Sequence, residues 1–68
     1  MMGLTSRQAD CLAVIRSAVA ERGVSPSYDE MAAALGIRSK SGVHRLVEAL
    51  VVRGYVRRLP HHARSLSL

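Results

Sequence analysis

The chain has 68 residues, 49% of them apolar, and a formal net charge of +5 from ten Lys and Arg against five Asp and Glu. That length holds one small domain with one core, and the apolar share argues against a disordered chain. No apolar run approaches the ~20 residues that span a bilayer, no charged-then-apolar leader opens the chain, and a lone Cys11 gives neither a disulfide framework nor a CxxC site, so an intracellular protein is expected.

The first predicted element is a helix within "LTSRQADCLAVIRSAVAERG". Thr5 followed by Gln8 is a capping-box spacing. Leu12, Ile15 and Val19 recur at helical intervals, with Cys11 and Ala18 on the same face, so Cys11 reads as a small core residue. Arg16, Glu21 and Arg22 fall toward water, and Gly23 ends the helix. "VSPSYDEMAAALG" repeats the grammar. Pro26 stops a backward extension, Ser27 and Glu30 form a second capping box, and Asp29 suits the positive end of the helix. Met31, Ala32, Ala34 and Leu35 give an apolar helix of about two turns, and Gly36 closes it.

The third helix lies in "IRSKSGVHRLVEALVVRGY", with Ile37 as an apolar anchor in the turn and either Ser39 or Ser41 as its cap. Val43, Leu46, Val47, Leu50 and Val51 form the predicted buried stripe, and Gly54 the C-terminal stop. Lys40, Ser41, Gly42, His44, Arg45 and Glu48 fall largely on the other face. The period then changes. Tyr55 to Arg58 reads as a short strand, Leu59-Pro60-His61-His62 as a turn, and Arg64 to Leu68 as a second strand. A hairpin alone is marginal in water, so it is expected to pack on the helices. Without Phe or Trp the core must come from Leu, Val, Ile, Ala and Met, and a stability of only a few kcal/mol is expected.

Charge divides the chain. Residues 1–36 carry three arginines against four acids, whereas residues 37–68 carry seven cations against Glu48 alone. One half therefore faces a polyanion, either nucleic acid or an anionic membrane surface. The membrane reading is the weaker, because the basic helix lacks a bulky exposed apolar face. Three helices and a C-terminal β-hairpin make an α+β, mostly α, winged helix-turn-helix occupying residues 1–68 as a single domain. In that arrangement the third helix enters the major groove of duplex DNA with its N-terminal residues at the base edges. Small residues and mobile cations at the helix entry suit that close approach.

The base-reading candidates are Ser41, Gly42, His44 and Arg45, the last because arginine makes bidentate bonds to guanine. Phosphate candidates are Arg38, Ser39 and Lys40 around the helix entry, and Arg57, Arg58 and Arg64 flanking the hairpin tip. Strand alternation prevents all three wing arginines from facing DNA together. Thr5, Arg7, Ser27 and Tyr28 at helix starts are further phosphate candidates, with capping the competing role, and His61 and His62 are candidates at the wing tip. Two adjacent histidines without a neighbouring Cys, Asp or Glu have poor zinc spacing, so no metal is expected, and no cofactor or small-molecule ligand is evident. No nucleophile has a base and an orienting partner, so an enzyme is not expected. The competing class is a winged-helix adaptor that binds RNA polymerase or another DNA-bound regulator. A cationic half concentrated on the third helix and wing favours DNA over that reading.

The sequence also resembles the N-terminal DNA-binding domain of the LexA repressor family. The matching residues are "LTSRQ" at 4–8, "GVSPSYDEMAAALGIRS" at 23–39, Ser41-Gly42-Val43-His44, the run from Leu50 to Arg58 containing "GYV", and "ARSLSL" at the end. Five motifs in order and in register carry the likeness over nearly all 68 residues. The resemblance implies a sequence-specific transcriptional regulator, repressor-like, of bacterial or phage origin, acting in the cytoplasm at the nucleoid. It also implies two copies meeting on repeated half-sites. Two departures stand out: Leu46-Val47 replaces the family's His-Leu, and His44-Arg45 stands where the family usually has an acid or amide pair. Family members continue into a serine–lysine self-cleaving peptidase domain that carries dimerisation. Residues 1–68 do not contain it, so self-cleavage is not expected of them.

Overall fold

The computed structural model describes residues 3–59 and 66–68. Helix α1 spans Ser6–Arg22, α2 Tyr28–Leu35 and α3 Lys40–Val52; strands β1, Arg57–Arg58, and β2, Leu66–Ser67, follow. The Thr5 hydroxyl accepts from the Gln8 amide at 3.1 Å, and the Gln8 side chain accepts from the Thr5 amide at 3.1 Å. Ser27 and Glu30 make the same reciprocal pair at 3.1 and 2.8 Å. These boxes satisfy amides that a helix start leaves without intrahelical partners.

The three helices pack on one another around Cys11, Leu12, Ile15, Met31, Leu35, Val43, Val47 and Leu50. Val56 and Leu66 complete this core from the wing, which is how strands of two residues each are held. Leu66 donates its amide to the buried Ser25 hydroxyl at 3.3 Å, anchoring the second strand to the loop between α1 and α2. Burial pushes the Cys11 thiol above its ordinary pKa, so it behaves as a core group and not as a nucleophile. Leu46, Val51 and Val19, expected in the buried stripes, are only half-buried at the edge of this core.

The turn between α2 and α3 is four residues long. Gly36 takes φ 69°, a conformation that costs other residues energy, and lets the Ile37 amide return to the Ala32 carbonyl at 2.9 Å. Ile37 is thereby fixed against the core while Arg38 and Ser39 stay exposed.

The wing begins later than expected. Tyr55 and Val56 are outside the strand: Gly54 and Tyr55 donate to the Val51 and Leu50 carbonyls at 3.0 and 2.9 Å, so the helix closure continues through Tyr55. Gly54 lies one residue beyond the cap, which is Arg53. The strands pair antiparallel, Arg57 with Ser67 and Arg58 with Leu66. The expected turn over Leu59 to His62 and the start of the second strand at Arg64 fall mainly on residues 60–65, outside the described residues.

Candidate nucleic-acid interface

Ser39, not Ser41, caps α3: its hydroxyl accepts from the Gly42 amide at 3.2 Å and from the Ser41 hydroxyl at 3.3 Å. The first turn of α3 therefore presents two serines, free amides and the positive end of the helix dipole at an exposed surface. Gly42 is half-buried, and a Cβ there would meet Ile37 Cγ2 at 3.0 Å and Ser39 Oγ at 3.3 Å. The turn itself accounts for this glycine, whatever else approaches it.

His44 and Arg45 follow on the outer face, both exposed. The Arg45 side chain has no hydrogen bond or ion pair among the described residues, and the same holds for Arg38 and Arg57. Lys40 meets Asp29 at 3.3 Å, a pair so exposed that it is worth at most about 1 kcal/mol and yields readily to a phosphate. The His44 ring lies over Tyr28 of α2, centroids 5.9 Å apart and tilted by 56°.

Arg58 has a different environment. In an antiparallel pair, opposite residues share a face, so Arg58 sits on the side of buried Leu66 and, two residues back, of buried Val56. From there its guanidinium donates to Glu48 of α3 at 2.5 Å and to the Tyr28 hydroxyl at 3.4 Å. Burial works against this charge, but the bonds Arg58 donates to Glu48 and Tyr28 outweigh it, so its pKa lies above the ordinary value. Arg57 lies on the opposite face of the strand, exposed. Sequence reasoning missed Glu48 and Tyr28 as partners of the wing. The one available signal was the strand alternation that pairs Arg58 with Val56.

The candidates at helix starts have structural work. Thr5 and Ser27 are spent in capping boxes, and Arg7 donates to the Leu35 carbonyl at 2.9 Å, tying α1 to the end of α2. Arg22 and Glu30 join at 3.2 Å across the α1–α2 loop. His61, His62 and Arg64 lie outside the described residues. Among the described residues no group of three or more His, Cys, Asp or Glu is placed to hold a metal ion, and no helix is long and apolar enough to cross a membrane.

A helix-turn-helix whose second helix shows a polar, cationic face beside a small antiparallel wing defines a winged-helix DNA-binding domain. The family model of the LexA DNA binding domain matches residues 1–65, and the chain belongs to that family. Among its relatives are proteins named LexA repressor from Erythrobacter litoralis, Zymomonas mobilis subsp. mobilis and Novosphingobium aromaticivorans, each 49% identical over 65 residues. The aligned stretch covers 96% of this chain but only 28%, 30% and 28% of those proteins, so the chain spans under a third of their length.

Proposed function

We propose that residues 1–68 act as one sequence-specific, double-stranded-DNA-binding domain of a transcriptional regulator, repressor-like, with α3 in the major groove and the wing on the backbone or minor groove. The observation that carries this reading is the first half of α3. Its exposed face holds Ser41, His44 and Arg45, with Arg45 unpaired among the described residues, and a hydrogen-bonded four-residue turn sets it off from α2. Ser41, Gly42, His44 and Arg45 read base edges; glycine has no side chain, so at Gly42 the backbone itself makes the close approach. Arg38, Ser39, Lys40 and Arg57 hold phosphates, and Arg64, His61 and His62 are further phosphate candidates on the same reading. The relatives' printed name, LexA repressor, supports repression as the consequence of binding.

On this reading the domain acts without catalysis, metal or cofactor, in the cytoplasm where a bacterial chromosome lies, and a second copy on neighbouring DNA supplies the rest of the affinity. An adaptor for RNA polymerase or another regulator is not favoured, because a protein surface does not require cations concentrated at one helix entry. Selection of bound duplexes from a random pool tests the reading. Enrichment of a short motif supports it, and recovery of unselected sequence with no motif would leave a non-specific or protein-directed module.

A further inference from the structure

Glu48 is the one acid in residues 37–68, and it stands on α3 one turn beyond the base-reading residues, three positions after Arg45 and four after His44. A carboxylate at that place repels the phosphates that the rest of the face attracts. The structure gives it a partner: Arg58 reaches across from β1, bonding Glu48 at 2.5 Å and the Tyr28 hydroxyl at 3.4 Å. Tyr28 in turn packs against His44. The side chains therefore run unbroken from α3 through the wing to α2 and back to α3. The described part of the wing ladder is only two residues long on each strand, so this cluster is the polar counterpart of the Val56 and Leu66 anchors that hold the wing to the helices.

We propose that Glu48 is a positioning residue for DNA binding: with the Tyr28 hydroxyl it holds Arg58 out of the phosphate-contact set and pins the first wing strand to α3. This rests on the DNA-binding reading above. It assigns the two wing arginines different work, with Arg57 facing outward to the DNA backbone and Arg58 serving as a surface strut between the wing and the helices. It also gives the lone acid of the basic half a purpose: it anchors Arg58 and, through it, the first wing strand.

The test compares the wild type, Glu48→Gln, Arg58→Ala and the double variant on a duplex of unselected sequence over a range of salt concentrations. Glu48→Gln is nearly isosteric at an exposed site, and melting curves verify that all four proteins fold. Each phosphate cation contributes about −0.9 to the log–log slope. Arg58→Ala alone is expected to leave the wild-type slope unchanged. Glu48→Gln is expected to steepen it by about 0.9, because Arg58 is released to a phosphate, and the double variant to return to the wild-type slope. Amide exchange at Leu66 is expected to accelerate in both single variants as the strand loosens. Loss of about 0.9 of slope in Arg58→Ala alone would show Arg58 already on a phosphate and overturn the proposal. So would steepening that survives in the double variant, which would show that Arg58 is not the cation released, or unchanged exchange at Leu66. Absence of duplex binding by the wild type would overturn the DNA-binding reading and this inference together. The other adverse outcomes overturn only the role of Glu48.

Discussion

Removing the Arg45 side chain separates reading from positioning. It is exposed on α3 and has no hydrogen bond or ion pair among the described residues, so Arg45→Ala is expected to change folding stability by no more than about 0.5 kcal/mol. Whatever the substitution costs, it costs in the complex. A bidentate arginine–guanine contact is worth about 1–3 kcal/mol of discrimination, which is roughly a 5- to 150-fold loss of affinity. Fluorescence anisotropy with a selected duplex, and with duplexes changed at single base pairs, measures this. The expected result is a loss on the preferred site, little loss on unrelated DNA, and relaxed preference at one or two base pairs. An equal loss on every sequence, with the salt slope falling by about one, would refute base reading and leave Arg45 as a phosphate contact.

Ser39→Ala strands the Gly42 amide that its hydroxyl now caps at 3.2 Å; a loss of about 1 kcal/mol is expected, seen as a fall of roughly 4–8 °C in the melting midpoint. Cys11 is fully buried and its thiol pKa is raised by that burial, so thiol reagents at neutral pH are expected to label it on the order of 100-fold more slowly than in denaturant; equal rates would contradict the core placement. Helices α1 and α2 commit most of their large apolar side chains to the core, so the free domain is expected to sediment as a monomer at micromolar concentration. On duplexes with two half-sites its binding is expected to be cooperative, and shifting the spacing by half a helical turn is expected to abolish that cooperativity. A tight dimer in free solution, or equal binding at every spacing, would count against this account.

Much of the helical fold was legible because its signals are local. The capping boxes at Thr5 and Ser27 and the glycine stops at 23 and 36 each lie within a few residues of what they control, and all appear in the structure. The choice between Ser39 and Ser41 as the α3 cap stayed open because both occupy plausible positions; the Gly42 amide settles it on Ser39. Sequence propensity starts the wing two residues early because Tyr55 and Val56 are good strand residues, and their propensity competes with a helix closure that only the folded backbone reveals. The exposed face of α3 followed from the 3.6-residue period. The use made of each cation did not. Lys40 with Asp29, Arg7 with the Leu35 carbonyl, and Arg58 with Glu48 and Tyr28 are contacts between elements, and charge counting treats all of these residues alike. The reason for Gly42 was likewise tertiary, since the atom that excludes a Cβ belongs to Ile37 in the turn.

The most direct measurement of the central claim is the affinity of this domain for duplex DNA as a function of salt. With about four to six phosphate contacts, a log–log slope of about −4 to −5 per bound domain is expected, together with a selected sequence that binds more tightly than unrelated DNA at every salt concentration. A flat salt response, or no duplex binding at low salt, would contradict the claim.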